Sequence, residues 1–350
     1  MGNRNMRKRV AAMLLGLLLL TGCTAPSVEE APEPSPQSTG ASVFALVVKS
    51  LENPYMQTMY AGFESACNEF GALAELHGPD PGGAPDQAGI VQDLIERKVD
   101  AIAIAANDMN EVSPMLREAR EAGIPVVSLD SMVEPDARVV HIQQTSPEMI
   151  GRVLIQACAQ IMEGEGEFAI LTTTDSMPNQ ASWLEWMHHE LADNAAQYAG
   201  MTLAETVYGL DEAGPSAAAA RHLLETYPDL KVIIAPTVVG MRATAEEIAR
   251  AGAQVKLTGL GLPSEMAPYI TSGVCPWMYL WNPSEVGYLA AYVMDALTKG
   301  TVQGVPGEIL TAGDIGDRMI TVSADGGNEI VLGNPKVFDT TNIAVWGELF

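Results

Sequence analysis

The stretch VDAIAIAANDMNEVSPMLREAREAGIPVVSLDS, residues 99–131, decides the fold of this chain. Two short apolar runs within it, DAIAIA (100–105) and IPVVSL (124–129), have the continuous hydrophobic character of strands that are buried on both faces. Between them, NEVSPMLREAREAG (110–123) distributes apolar and charged residues with a helical period and ends on glycine, as many helices do. The stretch therefore predicts two parallel strands joined by a helix.

The same alternation of short apolar runs and amphipathic segments continues along the chain from residue 42. The predicted strands are 43–48, 73–77, 100–105, 124–129, 138–142, 167–173, 202–208, 231–236, 254–260 and 277–281. This length is enough for two domains of ordinary size, and the series is interrupted near QQTSPEM (143–149). We predict the α/β class, with two Rossmann-like lobes, each built on a parallel sheet that helices cover on both faces.

The first 22 residues predict a signal peptide rather than a part of the fold. Basic residues precede an apolar run, VAAMLLGLLLL (10–20), which is about half as long as a membrane-spanning helix. The segment closes on LTGC (20–23), which resembles a bacterial lipobox and implies lipid attachment to Cys23; an ordinary signal peptide with a chance cysteine is the alternative. Residues 23–41 are rich in Pro, Ser and Glu and predict a disordered linker. We expect an exported protein, lipid-anchored on the extracytoplasmic face of the cell envelope.

Charge and cysteine usage limit the classes of partner and cofactor. The chain carries 44 acidic residues against 19 lysines and arginines, so neither nucleic acid nor an anionic lipid surface is expected as a partner. Beyond Cys23, the cysteines Cys67, Cys158 and Cys275 are widely spaced and predict no metal site. We expect them to pack as small apolar residues; one disulfide between two of them is the alternative. The sequence predicts no cofactor and no metal.

The sequence contains none of the catalytic motifs that an exported enzyme of a common class would carry. It has no G-x-S-x-G nucleophile turn and no H-E-x-x-H zinc motif, and no cysteine and histidine suggest a nucleophile pair. An enzyme whose carboxylates come together only in space stays open as an alternative. We expect a protein without catalytic residues.

Polar side chains follow the predicted strands, at the edge where open parallel sheets bind their ligands. The first series of strands leads to Lys49, Asn53, Asn107, Asp108 and Asp130, and the second to Asp175, Asn179, Gln180, Pro236, Thr237, Trp281 and Asn282. Amides and carboxylates bind hydroxyl groups, and an aromatic ring packs against an apolar C–H face. This set predicts a site for a small, neutral, polyhydroxylated molecule.

Several of these segments resemble a known family. NPY (53–55), AGFESACNEFG (61–71) and GLGLPSEMAPYITSGVCPWMYLWNPSEVGYLA (259–290) look like type I periplasmic substrate-binding proteins of sugar ABC importers. The resemblance is strongest to the rhamnose-binding and autoinducer-2-binding branch, and it covers nearly all of residues 43–345. It implies a protein that captures a small sugar, delivers it to ABC permease subunits and works as a monomer.

The resemblance also implies how the chain is organised and where the ligand binds. We expect two lobes that close on the ligand by bending where the chain crosses between them. The first lobe comprises residues 42–144 and 281–311, and the second comprises residues 145–280 and 312–350. The three crossings are expected near 143–146, 280–282 and 311–313. The contacts of the branch fall on Lys49, Asp130, Asn179, Gln180, Pro236 and Val238. We expect further ligand contacts from Asn53, Tyr55, Asp108, Trp281 and Asn282.

Two residues distinguish between the ligands of this branch. Receptors for autoinducer-2 usually carry aspartate where this chain has Asn179, and alanine where it has Val238. Both differences favour a deoxyhexose such as rhamnose. An autoinducer-2 receptor of the same fold is the alternative.

Overall fold

The computed structural model describes residues 40–79 and 86–348. The predicted signal peptide, Cys23 and the linker up to residue 39 lie outside these ranges. None of the helices within them is both long enough and apolar enough to cross a membrane.

The described strands and helices alternate along most of the chain. The strands are β1 (Val43–Val47), β2 (Leu73–His77), β3 (Ala101–Ile104), β4 (Val126–Leu129), β5 (Val140–Gln143), β6 (Gly166–Thr172), β7 (Met201–Tyr208), β8 (Leu230–Ala235), β9 (Lys256–Gly259), β10 (Trp277–Leu280), β11 (Ile309–Ala312), β12 (Gly316–Met319), β13 (Thr321–Val322), β14 (Asn328–Val331) and β15 (Lys336–Asp339). The α-helices are α1 (Pro54–Phe70), α2 (Gln87–Arg97), α3 (Met109–Glu121), α4 (Pro147–Ile161), α5 (Pro178–Asp193), α6 (Ala213–Thr226), α7 (Val238–Ala251), α8 (Pro263–Thr271), α9 (Pro283–Thr298) and α10 (Ile343–Trp346).

The first sheet has seven strands in the order β13-β14-β5-β4-β3-β1-β2, all parallel except β13. Successive residues of β1 face opposite sides, as the strand period requires. Phe44 and Leu46 join a core that includes residues of α1 and α9, whereas Ala45 and Val47 join a second core with residues of α2 and α3. Helices thus cover both faces of this sheet, which explains the unbroken apolar runs in the sequence.

The second sheet has four parallel strands in the order β7-β6-β8-β9. The helices α4, α6 and α7 pack against its strands, and α5 packs on α4. Strand β10 pairs with β15 in antiparallel fashion, and a bridge between Leu260 and Tyr279 joins this pair to the end of β9. The α/β class is confirmed, and each of the ten predicted strands is present within a few residues of its predicted bounds.

The course of the chain between the sheets differs from the sequence interpretation in one place. Residues 312–350 were assigned to the second lobe, but β14 pairs with β5 and so belongs to the first sheet. The chain then returns to the side of the second sheet, where β15 pairs with β10 and α10 packs on α8, so the third crossing lies at 332–335. Residues 311–313 instead lie in and directly after β11, where it meets β12 in a hairpin. The chain from Gly40 onward packs as one compact unit.

Close packing of α1 against α9 fixes two helices that begin beside the cleft between the sheets. A Cβ atom added to Gly62 would lie 1.9 Å from the carbonyl oxygen of Ser284, and one added to Gly287 would lie 1.9 Å from that of Met59. The helix backbones therefore approach to a distance that only glycine allows. This contact fixes the position of Asn53, which caps α1, relative to Trp281, which lies just before α9.

Candidate functional site

A cavity lies between the carboxyl ends of the strands of the two sheets. The helices α1, α5 and α7 begin at this cavity, because each follows a strand whose carboxyl end points to it. It is lined by Lys49, Asn53, Tyr55, Met56, Asp130, Thr173, Met177, Asn179, Gln180, Trp183, Asp211, Pro236, Thr237, Val238, Leu260, Leu280 and Trp281.

Nine of the eleven predicted ligand contacts line this cavity, and two do not. Asp108 lies in a wider groove outside it, where its carboxylate accepts hydrogen bonds from the backbone N–H groups of Asn110 and Glu111. Asn282 accepts a hydrogen bond from the backbone N–H of Ser284. Both residues cap the first turn of a helix, a role that favours the same residue types at the same place after a strand.

Lys49 and Asp130 form a buried ion pair at the ends of β1 and β4. The Nζ atom of Lys49 lies 2.5 Å from Oδ2 of Asp130, and the two residues are 7% and 3% exposed. Asp130 has a φ of +60°, a left-handed conformation that is uncommon for residues other than glycine. This backbone turns its carboxylate back toward the strand ends, where it meets Lys49.

The Asp130 carboxylate accepts further hydrogen bonds from three sides. Nδ2 of Asn179 donates to Oδ2 at 3.3 Å, across the cleft from the second sheet. The Tyr55 hydroxyl and Nε2 of Gln144 each donate to Oδ1 at 3.2 Å. Burial, together with the charge of Asp130, raises the pKa of Tyr55 well above its usual value, so its hydroxyl remains a donor. The carboxylate thus accepts four hydrogen bonds, about its full capacity.

Gln180 joins two strands of the second sheet behind the cavity. Its Oε1 accepts a hydrogen bond from the Thr172 hydroxyl at 2.8 Å, and its Nε2 donates to the Pro236 carbonyl at 2.9 Å. Thr172 ends β6 and Pro236 follows β8, so this amide holds both strand ends in place. Val238 begins α7 directly beyond them and presents an apolar side chain to the cavity.

Aromatic rings form another wall of the cavity. The Trp281 ring meets Tyr55 edge-on with centroids 6.3 Å apart, and it lies 6.0 Å from the ring of Trp183. The indole N–H of Trp281 donates to the Tyr55 hydroxyl at 2.6 Å. The indole N–H of Trp183 is buried without a hydrogen-bond partner, which is rare in proteins and marks a donor that a ligand could satisfy.

Asp211 also belongs to the cavity, although it was absent from the predicted site. It lies in the loop between β7 and α6, and its carboxylate accepts hydrogen bonds from Nδ2 of Asn53 at 2.9 Å and from the Thr237 hydroxyl at 2.5 Å. Burial raises the pKa of this carboxyl above its usual value. The sequence rule that ligand residues follow strands, if applied to the predicted strand 202–208, points to this loop.

The remaining residues that sequence reasoning missed are mainly apolar. Met56, Met177, Leu260, Leu280 and Trp183 line the cavity. Polar groups and an apolar surface thus face the same small volume. A cavity of this kind suits a ligand that has both hydroxyl groups and an apolar part.

Comparison with known proteins identifies the family to which this fold and cavity belong. A family profile described as "Periplasmic binding protein domain" matches residues 44–301. The chain belongs to the periplasmic binding protein family. This match and the relatives described next confirm the resemblance to type I sugar-binding proteins of ABC importers, a family of binding proteins rather than enzymes.

Solved structures and curated relatives agree with this assignment. A solute-binding protein of an ABC transporter from Clostridium phytofermentas, solved with bound L-rhamnose, is 38% identical; the match covers 89% of this chain and 99% of that one, with a TM-score of 0.85. A D-ribose/D-allose-binding protein of Pseudomonas aeruginosa is 28% identical over 287 residues, 76% of this chain and 85% of its own length. LsrB from Clostridium saccharobutylicum, solved with AI-2, is 18% identical with a TM-score of 0.79, which shows a common fold.

The three cysteines beyond Cys23 lie in the part of the chain that the structure describes. Cys67, Cys158 and Cys275 are buried free thiols, so no disulfide joins them. Burial raises the pKa of Cys67 and of Cys275 to about 12, which keeps these thiols protonated and unreactive at neutral pH. Within residues 40–79 and 86–348, no group of three or more His, Cys, Asp and Glu residues could hold a metal ion.

Proposed function

We propose that this periplasmic binding protein captures a neutral deoxyhexose, with L-rhamnose the favoured ligand, and delivers it to an ABC permease. The observation that carries the proposal is the cavity between the two sheets, which is lined both by hydrogen-bonding groups and by apolar side chains. A rhamnose molecule has the same division, with hydroxyl groups on most of its ring carbons and one methyl group.

The polar side of the cavity supports a neutral ligand. The charges of Lys49 and Asp130 offset each other at 2.5 Å, so this pair presents hydrogen bonds with little net charge. Lys49 donates to Asp130 and to Asn179, which leaves one of its three N–H groups for a ligand hydroxyl. The amides of Asn179 and Gln180 each keep one N–H free of the hydrogen bonds described above. Ligand hydroxyls can therefore accept from several fixed donors.

Asparagine at position 179 also bears on the choice between rhamnose and autoinducer-2. Its Oδ1 accepts from Lys49 at 3.4 Å while its Nδ2 donates to Asp130. An aspartate there could not donate to Asp130 and would add a second negative charge beside it, which like-charge repulsion disfavours. The residue present thus matches the neutral donor and acceptor pattern that a plain sugar requires.

The apolar side of the cavity supports a deoxy sugar. Met56, Met177, Leu260 and Leu280 offer no hydrogen bond to a ligand hydroxyl, and a buried hydroxyl without a partner costs free energy. A methyl group gains from the same surroundings. Trp281 and Trp183 add ring faces that can pack on the C–H groups of a sugar.

One solved relative supports L-rhamnose over other sugars in this proposal. The solute-binding protein with bound L-rhamnose shares 38% of its residues with this chain over almost its whole length, whereas the D-ribose/D-allose-binding relative shares 28%. We further propose that the protein is lipid-anchored through Cys23 on the extracytoplasmic face of the membrane. In this proposal it acts as a monomer that docks on permease subunits.

Isothermal titration calorimetry of the chain from Gly40 onward tests which ligand the protein binds. L-Rhamnose, D-ribose, D-allose and autoinducer-2 are titrated separately into the same preparation. We expect dissociation constants in the micromolar range or below for L-rhamnose and at least tenfold weaker binding of the others, since a missing or extra group in a fitted pocket costs about 1–3 kcal/mol. Tighter binding of ribose or allose would make that sugar the ligand in place of the proposed deoxyhexose. Binding of autoinducer-2 alone would make this protein a signal receptor.

A further inference from the structure

The carboxylate of Asp211 joins the two sides of the cavity. Asn53, which caps the first helix after β1, donates to its Oδ2 at 2.9 Å, and Thr237, which precedes α7, donates to its Oδ1 at 2.5 Å. The bond to Asn53 crosses from the second sheet to the first, just as the Asn179–Asp130 bond crosses in the opposite direction. The cleft thus holds two reciprocal amide–carboxylate pairs.

The two carboxylates of these pairs differ in the hydrogen bonds that they have left to accept. Asp130 already accepts four, from Lys49, Asn179, Tyr55 and Gln144. Asp211 accepts two, one on each oxygen, although a carboxylate offers about four acceptor positions. A carboxylate that is partly removed from water gains from further donors, and hydroxyl groups of a bound ligand are suitable donors.

The backbone at Asp211 supports a functional role for this residue. Leu210 and Asp211 have φ values of +57° and +55°, and Asp130 has +60°. Residues other than glycine adopt this conformation at a cost, and such residues cluster at ligand sites. Both carboxylates that line the cavity are therefore held by backbone of the same uncommon kind.

We propose that Asp211 is a ligand-binding residue that sets the specificity of this cavity: its open acceptor positions bind ligand hydroxyl groups, and its negative charge excludes anionic sugars. The inference rests on the proposed function. Because Lys49 offsets Asp130, Asp211 is the cavity carboxylate whose charge no cavity cation offsets at hydrogen-bond distance. A uronic acid would bring a second carboxylate next to it, whereas a neutral sugar brings only hydroxyl donors.

Calorimetric titration of the full chain, purified in detergent, tests this role with L-rhamnose and D-galacturonate as probes. Asp211→Asn keeps the shape of the side chain and removes its charge and half of its acceptor capacity, and we expect at least tenfold weaker L-rhamnose binding. Asn53→Ala removes the bond across the cleft and leaves the carboxylate in place. Glu212→Gln is the matched control, since this neighbouring acid is exposed and lines only the outer groove.

The inference is supported if Asp211→Asn loses more affinity than Asn53→Ala, Glu212→Gln binds as the wild type does, and galacturonate is rejected by the wild type. The melting temperature of ligand-free Asp211→Asn should equal or exceed that of the wild type, since the change removes a partly buried charge. The inference is overturned if Asp211→Asn binds L-rhamnose as the wild type does. It is also overturned if Asp211→Asn, Asn53→Ala and the double variant all lose the same amount of affinity for L-rhamnose. A wild type that binds no sugar would instead refute the proposed function, and this inference with it.

Discussion

Replacement of Asp130 by asparagine separates the charge of this residue from its shape. The variant leaves the Lys49 ammonium without its counter-charge in a place where the two residues are 7% and 3% exposed. It also replaces one of the two acceptor oxygens by an amide N–H₂ group, so that one pair of donors, Lys49 with Asn179 or Tyr55 with Gln144, loses its acceptor. Closure of the cleft must then bury an uncompensated positive charge.

The size of the effect follows from the burial of this pair. Loss of one partner of a buried ion pair costs about 3–5 kcal/mol, because the other charge remains without water. Lys49 and Asp130 follow strands of the same sheet, and we expect opening of the cleft to expose both to water. The cost therefore falls on closure, and we expect L-rhamnose to bind roughly 100- to 4,000-fold more weakly. The melting temperature of the ligand-free protein should fall by no more than about 2 °C.

Calorimetric titration and thermal unfolding of the two proteins measure these quantities. Asp108→Asn is the matched control: it is the same substitution at an acidic residue of the outer groove, and asparagine caps a helix as well as aspartate does. Its affinity should stay within about twofold of the wild type. The reasoning is refuted if Asp130→Asn binds L-rhamnose within about tenfold of the wild type, or if Asp108→Asn loses as much.

Three further results are expected. Trp281→Phe removes the indole N–H that donates to the Tyr55 hydroxyl, and it should weaken L-rhamnose binding about tenfold. Titration curves that do not change would exclude Trp281 as a ligand contact. Gly287→Ala should lower the free energy of unfolding by about 1–3 kcal/mol, because its added methyl group would collide with the backbone of α1. Gly214→Ala in α6 is the control and should not destabilise the protein, because its added methyl group meets nothing within 4 Å. Equal denaturant midpoints for the two variants would contradict this prediction. Burial lowers the pKa of His141 from 6.5 to about 3, so its contribution to stability is present above pH 6.5 and is lost as the pH falls toward 3. A His141→Gln variant should therefore lose less stability than the wild type between pH 6.5 and pH 3. Melting temperatures that fall in parallel for the two proteins over this interval would count against this prediction.

The parallel core of the fold could be predicted because its strands are buried on both faces and read as unbroken apolar runs. The strands from β11 onward could not, because they are two to four residues long and place apolar residues such as Ile309 and Val322 in solvent. The third crossing depends on which distant strand β14 pairs with, and no local pattern encodes that choice. It was therefore placed at 311–313 rather than at 332–335.

The candidate site was predictable to the extent that it consists of strand ends. Lys49, Asp130 and Asn179 follow strands directly, and the cavity brings them together. Helix caps and ligand contacts use the same residue types at the same place, which is why Asp108 was included. The apolar wall could not be distinguished from core, since residues such as Trp183 lie within a helix at positions that pack inward.

A crystal structure of the protein with L-rhamnose tests the central claim most directly. We expect one sugar molecule between the two sheets, with hydroxyl groups within hydrogen-bond distance of Lys49, Asn179 and Asp211 and its methyl group against Met56, Met177, Leu260 or Leu280. A sugar bound in the outer groove, or a cavity that stays without ligand at saturating L-rhamnose, would contradict the assignment of this cavity as the binding site.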